Sequence, residues 1–302
     1  MATVPRTVLI GLLALLVGCS RTELLYDNAD WLAGRWAGDL LNASGEQRTA
    51  WNDRFRQAME EHRRERLPEI VALLRSLEVL AAAGPTADEL HCWLEAAERI
   101  YRRQASWAVP PAAAVLLDSS AQQLNHLASE LEQRNREYRE DYLQEDATAR
   151  ERARIERYTE RIEGWTGDLS TGQLRLVEAA VRDMPDLAAD WLDYRIQQQQ
   201  RLLSLLRRGV DAAVLQDFLA DWWVDLAERP RGLVHKADQT RAAWLDLILA
   251  LGQTLEPGQR AAVRERLAEL RADLEAAGDG SAGMRLAWQD PAPCAGVWPA
   301  IP

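Results

Sequence analysis

The chain has few groups that could carry chemistry, and their spacing decides what each could do. Its four histidines, His62, His91, His126 and His235, are scattered. None forms the His-x-x-x-His or Glu-x-x-His spacing that brings imidazoles together on a metal. Asp88 and His91 share a helical face at i,i+3 and would supply two ligands of a metal site, or simply form a partly packed helix surface. His62 and Arg63, followed by Glu65 just before Pro68, fit either helix-end electrostatics or a recognition site. Carboxylates are numerous, yet none stands alone in apolar sequence, where burial would raise its pKa for general-acid work. No serine sits in a nucleophile elbow. Cys92 and Cys294 could join in a disulfide in an oxidising compartment, or stay as one packed and one loose thiol. These residues predict no catalytic centre, no metal and no cofactor.

The strongest local signal is at the start of the chain. Arg6 precedes an apolar run from Val8 to Val17, which ends in Leu16-Val17-Gly18-Cys19. A basic start, a short apolar segment and a small residue before the cut are the parts of an export signal, and the run is too short for a spanning helix. The Leu-Val-Gly-Cys box resembles that of bacterial lipoproteins. That resemblance implies cleavage after Gly18, a diacylglycerol on the Cys19 thiol and an N-acyl chain on its amine. Multiple acyl chains make anchoring effectively permanent. Ser20 stands where inner-membrane retention uses Asp, which implies the periplasmic face of the outer membrane. The expected divisions are a cleaved signal peptide over 1–18, a helical domain over 19–277 and an irregular tail over 278–302.

Charge argues against nucleic acid as a partner. The full chain carries a formal charge of −11, and residues 1–18 hold only Arg6, so the mature chain is more acidic still. Its arginines alternate with Glu and Asp along helical stretches instead of forming the basic surface that counterion release requires. Lys236 is the only lysine.

Apolar residues recur three and four apart almost throughout, which predicts an all-α multi-helix bundle. Ser44/Gln47, Thr86/Glu89, Thr148/Glu151 and Ser170/Gln173 each fit the capping box, in which a hydroxyl and the side chain three residues later satisfy free amides reciprocally. Pro68 should begin or kink a helix, Gly84-Pro85 and Val109-Pro110-Pro111 should mark turns, and Gly164, Gly209 and Gly252 lie near expected helix ends. From Ser120 to Trp165 the stripe narrows and slips phase between Gln144 and Arg154, predicting a long two-part helical arm with Glu130/Arg134 and Glu132/Arg136 as supporting pairs.

Twelve tryptophans stand against two phenylalanines. Trp222 and Trp223 are adjacent and so point about 100° apart on a helix, one toward the core and one sideways. Trp31 and Trp36 follow the lipid site closely, where both core packing and interfacial seating are open to them.

The order Leu25-Tyr-Asp-Asn-Ala-Asp-Trp-Leu32, His62-Arg-Arg-Glu-Arg-Leu-Pro68, Leu131-Glu-Gln-Arg-Asn-Arg-Glu-Tyr138 and Glu163-Gly-Trp-Thr-Gly-Asp-Leu-Ser-Thr-Gly-Gln173 resembles an uncharacterised family of helical Gram-negative lipoproteins. The resemblance spans most of residues 19–275 and implies address and fold without an activity. The Gly- and Ala-containing stretch from Trp31 to Leu40 departs from it, since more aromatic residues are expected there. A weaker likeness is to periplasmic chaperones with repeated Leu-Thr-x-x-Gln boxes, carried by Leu169-Ser-Thr-Gly-Gln173 and Leu255-Glu-Pro-Gly-Gln259. Helix-start grammar explains the same residues, with Leu169 and Leu174 as a hydrophobic staple and Pro257 at a first helical position.

The reading that follows is a non-enzymatic outer-membrane lipoprotein that binds another envelope component, as scaffold, adaptor or chaperone. Trp31, His62, Arg63, Trp222 and Trp223 are its candidate recognition residues, and an envelope protein is its expected partner. The tryptophan surplus also suits a carrier of lipid or another apolar ligand, and an envelope hydrolase stands third.

Overall fold

The computed structural model describes residues 26, 28–144 and 146–278. Residues 1–25, with Cys19 and the expected signal peptide, and residues 279–302, with Cys294, lie outside the described residues. Eleven helices and no strands occur among the described residues: α1 (Ala29–Leu40), α2 (Gly45–Glu65), α3 (Leu67–Ala83), α4 (Ala87–Leu117), α5 (Ala121–Tyr142), α6 (Ala147–Thr166), α7 (Thr171–Asp183), α8 (Ala188–Arg208), α9 (Ala212–Trp223), α10 (Arg231–Thr254) and α11 (Pro257–Ala277). The all-α bundle is as the periodicity predicts.

The long helix α4 ties the core together. Its first half places Ala96 and Ile100 against Leu73 of α3. Its second half buries Val109, Ala113 and Val115 among Trp51 of α2, Leu124 and Leu127 of α5, Leu202 and Leu206 of α8 and Leu215, Phe218 and Leu219 of α9. A separate cluster joins Ile162 of α6, Val177 and Val181 of α7 and Leu247 and Leu251 of α10. Leu67, Val71 and Leu74 of α3 close against Leu270 and Leu274 of α11. Burying each of these aliphatic side chains contributes about 1.5–3 kcal/mol before entropy is charged.

The expected proline turn and one capping box require correction. Pro110 and Pro111 do not mark a turn, because α4 runs through them without a break. Proline disfavours helical geometry in the residue before it, but Val109, Ala113 and Val115 are all nearly inaccessible to solvent, and their burial holds the segment helical. The Thr148 box also fails to form. Asp146 caps α6 instead, accepting from the Thr148 amide at 3.0 Å, while Glu151 turns away to an ion pair with Arg182 at 2.8 Å.

The two-part region breaks between α5, which ends at Tyr142, and α6, which begins at Ala147, at the start of the predicted phase slip. Neither part is free, since α5 lies on α8 and α1 while α6 lies on α7 and α11. The Glu132–Arg136 pair forms at 3.1 Å, whereas Arg134 lies over the Trp36 ring. Glycine ends the helices where a left-handed residue is needed: Gly84 closes α3 at φ +79° and Gly209 closes α8 at φ +67°.

The capping boxes do more than start helices. Gln47, Gln123, Gln173 and Gln259 all occupy the third helical position, and each side-chain oxygen accepts its own cap amide at 2.9–3.1 Å. The four then pair across the bundle. Gln173 and Gln259 exchange hydrogen bonds of 2.8 and 3.0 Å, as do Gln47 and Gln123 at 3.3 and 2.8 Å. Three of the four glutamines send their second amide hydrogen to the carbonyl five residues before the partner glutamine: Gln173 to Thr254, Gln259 to Asp168 and Gln47 to Asp118. The chain thus contains the same device twice, joining α2 to α5 and α7 to α11. The expected staple is absent, because Leu169 packs into the α6/α7/α10 cluster while Leu174 stays exposed.

Candidate functional site

The inward stripe of α2 is Trp51, Phe55 and His62, four and then seven residues apart, so His62 arrives on the same face as the two core aromatics. It is buried at the end of that helix. Its Nδ1 is 2.6 Å from the Tyr26 hydroxyl and its Nε2 is 2.7 Å from Gln104 Oε1. A neutral ring satisfies both partners, with Nε2–H donating to Gln104 and the Tyr26 hydroxyl donating to Nδ1. The Trp107 ring of α4 meets the imidazole edge-on, with centroids 4.7 Å apart. Arg63 covers the Tyr26 ring with its Cζ 5.6 Å from the centroid and donates to the Tyr26 carbonyl at 3.4 Å.

Burial pushes the His62 pKa below its ordinary value, and nearby Arg66 adds to the shift against the opposing bond from Gln104. Because the folded pKa is the lower one, the unfolded chain binds the proton first as pH falls. Stability is therefore complete above about pH 6.5 and declines below it until the folded ring also protonates. Urea unfolding at stepwise pH is expected to show this slope, and His62→Gln is expected to flatten its histidine part. An unchanged profile in the variant would refute the assignment.

Trp107 has a second face on an open cleft of about 470 Å³, whose walls also include Glu61, Arg66, Arg103, Ser106, Pro110 and Pro111. The two prolines lack amide hydrogens, so the carbonyls of Ser106 and Trp107, four residues earlier, have no helical donor from them. Both residues line the cleft. Arg103 Nε holds Glu69 at 2.9 Å and Arg66 reaches the same carboxylate at 3.9 Å, so the guanidinium groups are braced on one side. The Ser106 hydroxyl donates to the Arg102 carbonyl at 2.8 Å. The cleft thus brings the Glu61 carboxylate, cationic donors and an indole into one place.

The other candidate residues lie elsewhere. Trp222 and Trp223 are half-buried against the largest core cluster, Trp222 beside Phe218 with centroids 5.8 Å apart. The carbonyl of Trp223 accepts from the Tyr101 hydroxyl at 2.8 Å. Neither forms a wall of the cleft. Trp31 is exposed on α1. Cys92 is buried in α4 and disulfide-bonded, and Cys294 lies outside the described residues. Among the described residues no group of three or more His, Cys, Asp or Glu could hold a metal ion, and no helix is long and apolar enough to cross a membrane.

Sequence reasoning singled out His62 and Arg63 but missed Tyr26, Gln104, Trp107 and the cleft beside them. The double proline was the available signal, because two missing amides within an apolar helical period imply released carbonyls. Comparison with known proteins now supplies a family: the chain belongs to the Family of unknown function (DUF6279), which matches residues 39–225. No curated protein and no solved structure matches the chain.

Proposed function

We propose that the chain is a non-enzymatic envelope lipoprotein that binds another envelope protein as scaffold, adaptor or chaperone. Cys19, carrying the diacylglycerol and N-acyl chains, tethers it to the periplasmic face of the outer membrane. The observation that carries the binding role is the cleft at Trp107. Its Glu61 carboxylate accepts from the amides or cations of a peptide, its arginines donate to carbonyls or carboxylates, and its indole and proline rings supply apolar contact. Its nearest reactive groups are already engaged, His62 by Tyr26 and Gln104 and Ser106 by the Arg102 carbonyl, which supports recognition over hydrolysis.

In-cell photo-crosslinking from Glu61 and Ser106, each replaced by benzoylphenylalanine, tests this reading. A discrete protein adduct that weakens in Cys19→Ala is expected. Lipid adducts at both positions would favour a carrier, and no adduct would refute the binding role. The anchor also constrains the thiols, because an acylated Cys19 leaves Cys294 as the partner of Cys92. Alkylation of the denatured, unreduced protein should therefore label neither Cys92 nor Cys294, and both should label after reduction. Labelling of Cys92 without reduction would refute the pairing.

A further inference from the structure

We infer that α1 is a membrane-seating helix: its Trp31, Leu32 and Trp36 face lies on the phospholipid surface and fixes which side of the bundle looks at the bilayer. The inference rests on the lipid-anchor reading of Cys19.

Helix α1 carries large apolar side chains on two opposite arcs. One arc carries Gly34, Ala37, Leu40 and Leu41, all buried against the bundle. Gly34 lets that contact be close, because a Cβ there would come within 1.7 Å of Asn52 Oδ1 on α2 and the Asn52 side chain would have to move. At about 100° per residue, Trp31, Arg35, Asp39, Leu32 and Trp36 fill the other arc in that order, spanning about 140°, with Arg35 and Asp39 paired between the apolar side chains. There Trp31 is 50% exposed, Leu32 37% and Trp36 52%. A surface helix of a water-surrounded protein turns a polar face outward, whereas this one turns out two indoles and a leucine around a single Arg35–Asp39 pair.

Chain length and charge select the occupant. Cys19 stands nine residues before Asn28, and nine residues reach at most about 30 Å when fully extended. Acyl chains in the bilayer therefore keep α1 close to its surface. Tryptophan favours the headgroup level of a membrane, where its ring meets hydrocarbon and its N–H meets water. Each exposed indole also has a guanidinium over it, Arg35 at 5.4 Å from the Trp31 centroid and Arg134 at 5.5 Å from the Trp36 centroid. Both cations stand where lipid phosphates would meet them, and Asp39 offsets only part of that charge through pairs with Arg35 and Arg48 at 3.8 and 3.3 Å.

The test uses the full chain purified from its membrane and reconstituted into vesicles of phosphatidylethanolamine and phosphatidylglycerol with brominated acyl chains, which quench buried indoles. Wild type should lose emission relative to unbrominated vesicles, and the Trp31→Phe/Trp36→Phe variant should lose much less, since phenylalanine keeps the seat but removes the reporters. Equal quenching in the two proteins, including none in either, would overturn the inference and leave the face for a protein partner. Intact mass of the same samples reports acylation separately. An unacylated Cys19 would sink the anchor reading, while the quenching difference would still judge the face by itself.

Discussion

Asn135→Leu is expected to destabilise the protein by about 3 kcal/mol, because it removes the centre of a buried polar knot between α5 and α8. Asn135 Oδ1 accepts from Arg195 Nε at 3.1 Å and from its Nη2 at 2.8 Å. Its Nδ2 donates to Gln199 Oε1 at 2.7 Å. Both Asn135 and Gln199 are buried, and burial lowers the pKa of Arg195 below its ordinary value. The guanidinium also lies over the Tyr138 ring, 4.6 Å from the centroid, and burial pushes that phenol up to about 12 against the opposing pull of Arg195. Leucine fills the space and leaves the arginine short of an acceptor, with Gln199 short of a donor. Asn135→Asp separates the two losses, since it keeps an acceptor for Arg195 and abandons only Gln199. Urea unfolding should rank wild type above the aspartate variant and the aspartate variant above the leucine variant. Leucine as stable as wild type would show that the knot contributes no net stability, as happens for some buried polar clusters replaced by apolar groups.

The parts of this molecule that sequence reveals are those set by neighbours within a few residues. Ser44 and Ser170 begin helices because a hydroxyl and a glutamine three residues apart satisfy each other locally, and nothing distant competes. Thr148 has the same spacing, but Asp146 stands two residues earlier and caps just as well, so pattern alone does not choose between them. Pro110 and Pro111 mislead for the opposite reason. Their local preference is real, and burial of the flanking valines and Ala113 outweighs it. The candidate site was half visible. His62 lies at helical spacing from Trp51 and Phe55, which points it inward, whereas Gln104 and Trp107 come from another helix and Tyr26 precedes α1. Their meeting is a property of packing. Trp222 and Trp223, prominent by adjacency, are packing residues first.

Gln173 supplies the most discriminating test of what the repeated glutamines do. In a capping box alone, glutamate serves as well as glutamine, since only an acceptor oxygen is needed. Gln173 is buried and uses all four of its hydrogen-bonding positions, two accepting from the Ser170 amide and Gln259 and two donating to Gln259 and the Thr254 carbonyl. Gln173→Glu keeps the shape and the cap but replaces both donors with an acceptor that faces two oxygens. Leaving buried groups unsatisfied in this way is expected to cost about 2–4 kcal/mol in urea unfolding at neutral pH. Thr86 provides the control, because its box uses Glu89 in an exposed setting with no cross-bundle partner amide, and Glu89→Gln there should change stability by no more than about 0.5 kcal/mol. Acid supplies a rescue. Burial among oxygens raises the pKa of the introduced carboxyl, and once protonated it regains one donor, so the gap between variant and wild type should narrow as pH falls. A variant as stable as wild type at neutral pH would reduce the four glutamines to helix caps, while a loss that acid partly reverses would establish them as paired clamps holding α7 to α11 and, by the same geometry, α2 to α5.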